Sequence, residues 1–87
     1  MEDYNGKKRI AVKQFADAME IRLQEKDQEK GEEGWLDCDN DFLIACINEK
    51  LEDLEYMLSH NVKGNAQSDC VDIANFAMML FDKLCRR

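Results

Sequence analysis

The sequence predicts an all-α fold, a three-helix chain that completes a helical bundle only as an oligomer, and three observations predict it. No proline occurs in 87 residues, and β-branched residues are scarce, with no threonine and three valines. Leu, Met, Ala, Glu, Lys and Gln, the strong helix formers, dominate instead. Apolar residues recur at helical rather than alternating spacing in three separate segments. A chain of this length is one domain, residues 1–87. It buries only roughly 60–65% of its unfolded surface, so it needs a disulfide, a metal or a second subunit to secure its core.

Met1 to Gly6 reads as a frayed start, and the first helix is expected from about Lys7 to Glu29. Val12, Phe15, Ala16, Met19 and Leu23 form its apolar stripe, with Lys13, Asp17, Glu20, Gln24 and Asp27 on the outer face. Lys30-Gly31-Glu32-Glu33-Gly34 ends it, because two glycines favour a turn and a left-handed cap. Trp35 and Leu36 are apolar anchors in the connection, the commoner role of a Trp after a Gly-rich turn, with stacking on a base as the alternative for the Trp35 ring. Asp39, Asn40 and Asp41 are N-cap candidates for a second helix running to about His60, whose stripe is Leu43, Ile47, Leu51, Leu54 and Leu58. Asn61 to Asn65, containing Gly64, is expected to turn, with Ser68 capping a third helix that reaches about Leu84. That helix is apolar nearly all round, from Cys70 and Val71 through Phe76, Met79, Leu80 and Phe81 to Leu84. Such a helix is covered on all sides, which three short helices cannot do within one chain. A homodimer or homotetramer is therefore expected.

Charge and composition exclude several classes of function. The net charge of −7 and the pI near 4.6 disfavour binding to a phosphate backbone, so no nucleic-acid partner is expected. No apolar run reaches the ~18 residues of a membrane span, and the N-terminus has no signal-peptide core, which points to the cytosol and no membrane partner. The four cysteines, Cys38, Cys46, Cys70 and Cys85, contain no C-x-x-C pair, and the lone His60 has no partner at ligand spacing. Cys46, Cys70 and Cys85 read as small core residues.

The chemistry-bearing residues are acids. The second helix carries Glu49, Glu52, Asp53 and Glu55, and the third opens with Asp69-Cys70-Val71-Asp72. Residues three or four apart share a helix face, so Asp69 points with Asp72, and Glu49 with Asp53 or with Glu52. Two antiparallel helices each offering a carboxylate pair make the oxygen cage that hard cations select. On the helical wheel Lys50 and Asp53 border the apolar stripe, Glu52 lies toward solvent, and Glu49 sits beside Asp53. Asp69 and Asp72 share a face with Phe76, Met79 and Lys83, so they are embedded among apolar neighbours. The plainer reading is that both aspartates only complement the helix dipole at its N-terminus.

Asp69-Cys70-Val71-Asp72-Ile73-Ala74-Asn75-Phe76-Ala77-Met78-Met79-Leu80 resembles the E-x-x-D-V-A-N-F-A-M-M segment of small phage and bacterial MazG-like proteins, which are all-α nucleotide pyrophosphohydrolases. Phe15-Ala16-Asp17-Ala18-Met19-Glu20, then Lys30-Gly31 and Gly34-Trp35, are similar to that group's upstream blocks. The resemblance spans about Phe15 to Lys83. It implies a fold in which an E-E-x-x-E helix faces an E-x-x-D helix and the two hold Mg²⁺. The activity it implies is cleavage of a (deoxy)nucleoside triphosphate to the monophosphate and pyrophosphate. By position the first motif falls on Glu49, Lys50, Leu51, Glu52 and Asp53, and the second on Asp69 to Asp72. The resemblance thus implies Glu49, Asp53, Asp69 and Asp72 as metal-binding and catalytic residues. It implies Asn75 and Lys83 as residues facing the nucleotide; beside it, Trp35 is a candidate to stack on the base and Lys50 a candidate to contact a phosphate.

The chain departs from that pattern at three positions. Asp53 and Asp69 stand where glutamates are the rule, which shortens each reach by one methylene. Lys50 stands at a carboxylate position, placing a positive charge where a cation would sit. Three readings follow: an active Mg²⁺-dependent pyrophosphohydrolase, an impaired relative that binds or sequesters nucleotides through groups such as Lys50, and a helical interaction module.

Overall fold

The computed structural model describes residues 8–30 and 34–86. They form α1 (Ile10–Lys30), a 3₁₀ turn (Gly34–Asp37), α2 (Asn40–Ser59) and α3 (Lys63–Cys85), with no strand among them. The expected frayed start and the Gly31–Glu33 stop lie outside the described residues.

The α2 boundaries fall where the sequence places them. Asp39 is the N-cap, with extended backbone at φ −68° and ψ 148°, although its carboxylate makes no capping hydrogen bond. Its carbonyl accepts from the Leu43 N–H at 3.2 Å. Asp41 in the first turn complements the helix dipole. At the other end the His60 ring stacks on Tyr56 at 4.1 Å, and the His60 backbone N–H donates to the Tyr56 carbonyl at 3.1 Å.

The α3 boundary does not. Ser68 is no cap, because the helix begins five residues earlier at Lys63 and runs through Gly64 and Asn65. The reversal is made instead by Asn61 at φ 59°, the left-handed region that asparagine tolerates through its short polar side chain. The chain therefore turns between His60 and Val62, and Gly64 needs no special conformation. Asp69 and Asp72 consequently lie beyond the first turn, which holds no acidic residue. They do not serve as helix-dipole caps.

Helix α3 is the middle of an open layer: α2 packs along it extensively, α1 packs on it less, and α1 and α2 barely meet. Among the described residues only Leu43 and Ala66 are fully buried hydrophobics, at 1% and 6% exposure. The expected stripes are accordingly only half covered. Met19 and Leu23 of α1 are half-buried, while Val12, Phe15 and Ala16 stay exposed. On α2, Ile47 and Leu54 are half-buried, and Leu51 and Leu58 are exposed because α2 has α3 as its one substantial helix neighbour. Cys70 and Cys85 are exposed within the chain rather than in a core, Cys38 and Cys46 are half-buried, and no disulfide joins them. Among the described residues no helix is long and apolar enough to cross a membrane.

Two substitutions check this architecture by urea unfolding at fixed protein concentration. Leu43→Ala is expected to cost about 2–5 kcal/mol, the range for a fully buried leucine. Ser68→Ala is expected to be neutral or stabilising by a few tenths of a kcal/mol, since alanine is the better interior helix residue. A loss of about 1 kcal/mol or more from Ser68→Ala would restore it as a cap.

Candidate functional site

Asp72 of α3 is the point at which all three helices meet. Its carboxylate, 8% exposed as a residue, accepts from Arg22 of α1 through Nε at 3.0 Å and through a second guanidinium nitrogen at 3.4 Å. Lys50 of α2 approaches the Oδ2 atom at 3.2 Å. Arg22 also reaches Glu25 at 3.4 Å, and its guanidinium is held further above its ordinary pKa chiefly by the Asp72 hydrogen bond and charge. A buried carboxylate left unpaired would be costly, and two cations from opposite sides relieve that cost.

One turn earlier, Asp69 is buried at 4% exposure with Asp53 of α2 beside it. Burial raises the Asp69 pKa most, the neighbouring carboxyls of Asp53 and Asp72 raise it further, and Lys50 opposes them. The Asp69 Oδ2 atom is buried with no hydrogen-bond partner.

The structure thus brings Asp53, Asp69, Asp72 and Lys50 near one another, with the two α3 aspartates buried and Glu49, Glu52 and Asp53 all exposed on α2. Both oxygens of Asp72 already face cations. Among the described residues no three His, Cys, Asp or Glu side chains form a group that could hold a metal ion. The donor set as it stands therefore fits a lysine and an arginine better than it fits magnesium.

Beside Asp72 a cleft of about 310 Å³ opens between α1, the 3₁₀ turn and the α2–α3 pair. Trp35, Phe42, Phe76 and Met79 give it an apolar lining, and Arg22, Lys26, Asp27, Asp37, Asp72 and Asn75 give it polar edges. Asn75 is 4% exposed; its Nδ2 donates to the Met19 carbonyl at 3.3 Å, and its Oδ1 has no partner. The 3₁₀ turn is strapped to the end of α3. Trp35 Nε1 donates to Asp82 at 3.1 Å, and Lys83 donates to the Cys38 carbonyl. Asp82 also accepts from Arg86 at 2.9 Å; Arg86 and then Trp35 hold its carboxyl below the usual carboxylate pKa.

Of the residues expected to face a nucleotide, Trp35 and Asn75 line the cleft. Lys50 sits on Asp72, and Lys83 is engaged in the strap. Sequence reasoning missed Arg22, Lys26 and Phe42, and it put Asp27 on the outer face although Asp27 is half-buried at the cleft. The signal for Arg22 was present. At about 100° per residue it falls in the sector of Phe15, Met19 and Lys26, so a cation interrupts the apolar stripe of α1 and requires an acid on its partner helix. The chain matches no protein-family model, no curated protein and no solved structure.

The raised Asp69 pKa has a pH signature. A carboxyl whose folded pKa lies above its unfolded value, about 3.9, favours folding most below that unfolded value. The benefit is lost as pH rises through the folded pKa. Asp69→Asn should therefore gain stability relative to the wild type between pH 4 and pH 8, read as diverging urea midpoints. A gap that is the same at every pH would mean that Asp69 titrates as an ordinary carboxyl.

Proposed function

We propose that this chain binds a nucleotide, a nucleoside triphosphate or a related small molecule, as an impaired relative of the all-α pyrophosphohydrolases. It assembles as a homodimer or homotetramer. The base occupies the cleft lined by Trp35, Phe42 and Phe76, and the phosphates run toward Arg22 and Lys50. The observation that carries this reading is the pairing of Asp72 with both cations beside an aromatic cleft. A cleft of roughly 300 Å³ or more with a largely apolar lining and a few convergent polar groups is the ordinary form of a small-molecule site. Arg22 offers a fork suited to phosphate oxygens, and Lys50 a point charge. Asn75, with its Nδ2 committed to Met19, has a buried acceptor to spare for a ligand N–H.

The second reading, an active Mg²⁺-dependent pyrophosphohydrolase cleaving (d)NTP to (d)NMP and pyrophosphate, is favoured by the gathering of Asp53, Asp69 and Asp72. In that reading bound magnesium would supply Lewis acidity and an activated water. For it to bind, Lys50 must leave Asp72.

Calorimetry with a nucleotide panel and a pyrophosphate assay test both readings. The expected outcome is nucleotide binding with no pyrophosphate released by the wild type in Mg²⁺. Lys50→Glu is expected to raise Mg²⁺ affinity, because it adds an oxygen donor and removes a competing charge. Pyrophosphate release by the wild type favours the second reading. If no nucleotide binds at millimolar concentration, both are lost and a helical interaction module remains.

A further inference from the structure

We propose that the cleft beside Asp72 takes a nucleoside monophosphate in preference to the triphosphate, and that Lys26 is the residue that meets its phosphate. This preference rests on the nucleotide reading above and narrows it to one class of ligand. Arg22 already uses all three guanidinium nitrogens within the protein, Nε and Nη2 on Asp72 and Nη1 on Glu25. It can turn to a ligand only by releasing a carboxylate. Lys50 ends on the same aspartate. Lys26 stands four residues beyond Arg22, one turn along the same face of α1, and lines the cleft. Among the described residues no carboxylate lies within ion-pair distance of it. Of the cations in the described lining, Lys26 alone therefore has a charge left to offer.

The rest of the wall is acidic. Arg22 and Lys26 stand against Asp27, Asp37 and Asp72, so the described lining carries an excess of negative charge. A phosphate monoester brings about two negative charges at neutral pH, and each further phosphoryl group adds another. One ammonium can offset a single phosphate. The outer phosphates of a triphosphate would find no second uncommitted cation in that lining and would face Asp27 and Asp37 instead. The carboxylate best placed to hold a divalent ion between those phosphates, Asp72, is taken by Lys50 and Arg22. Unpaired like charges reject a ligand as effectively as contacts select one. At the other end of the ligand Asn75 receives the base. The Met19 carbonyl can only accept, so it fixes Nδ2 toward itself and leaves the buried Oδ1 as an acceptor without a partner. Every nucleobase carries an N–H that can satisfy it, and leaving a buried acceptor unmet is costly. A base on Asn75 and a phosphate on Lys26 together account for the two uncommitted polar groups described.

Calorimetry with nucleosides and their mono- and triphosphates, in the presence of a chelator, tests the proposal on the wild type and on Lys26→Gln. Trp35, the one tryptophan of the chain, lines the cleft, so its fluorescence shows whether the ligand sits there. The wild type is expected to bind a monophosphate at least about five-fold more tightly than the matching triphosphate, since the added charges meet only carboxylates. It should bind the monophosphate about ten-fold more tightly than the nucleoside, as a hydrogen-bonded ion pair provides. Lys26→Gln should bring the monophosphate down to the affinity of the nucleoside. Lys26 is exposed, so the variant is expected to fold, with an unchanged urea midpoint as the check. Lys13→Gln removes the same charge from an exposed position of α1 outside the lining and should keep the monophosphate advantage. A triphosphate that binds more tightly than the monophosphate would overturn the proposal. So would a monophosphate advantage that survives Lys26→Gln, or binding that leaves Trp35 fluorescence unchanged. The first two of these results leave the nucleotide reading standing, whereas no binding by any member of the panel removes both.

Discussion

Asp72 holds the arrangement of the helices, because Arg22 of α1 and Lys50 of α2 both end on its carboxylate. Helices α1 and α2 barely touch each other, so this is where the two outer helices are brought to a common point on the middle one. The constraint is electrostatic and local. A carboxylate buried to this degree requires positive partners, and each outer helix supplies one. The cleft opens beside that meeting point, with Asp72 and Arg22 in its lining. Its wall of Phe76 and Met79 is the continuation of the Asp72 face one and two turns along α3.

The cleft is then closed at its far end by a different kind of tie. The 3₁₀ turn has little apolar burial of its own, and it is placed by Trp35 on Asp82 and by Lys83 on the Cys38 carbonyl. These contacts put an indole at the mouth of the cleft and explain why Lys83, on the same face of α3 as Asp72, stands at its end. Asp82 holds Trp35 with the help of Arg86, so the last turn of α3 contributes to the shape of a cavity that begins two turns before it. Against this polar side stands an apolar one. Away from Asp72 the hairpin exposes Ile44, Leu51, Leu58, Phe81 and Leu84, so the two sides of one helix pair differ in chemistry, charged on one and apolar on the other.

Much of the fold was legible in the sequence, and the residues say why. Helix type and number follow from propensity and period, both local properties. So do the limits of α2, where Asp39 and His60 bracket a regular leucine pattern. The embedding of Asp69 and Asp72 among apolar residues was legible too, since it is a matter of spacing along a single helix. The start of α3 was not. Gly64 and Ser68 offer an ordinary turn-and-cap signal, and it was overridden by Asn61 taking the left-handed conformation and letting the helix start earlier.

What the sequence by itself determined is therefore the set of helices, the acid pairs they carry, and the apolar residues on nearly every side of α3. What only the tertiary structure decided is which charges meet. Lys50 is one residue from Glu49 and three from Asp53 along the chain, yet it lies on Asp72, and Arg22 arrives there from fifty residues away. Asp53 acts on the buried Asp69, whereas Glu49 is not among the groups that shift it. Helical period tells which side chains share a face, and it carries no information about the rotation and tilt of one helix against another. Those are set by packing and by the cost of burying Asp72 unpaired, which are properties of the assembled helices and of no segment alone.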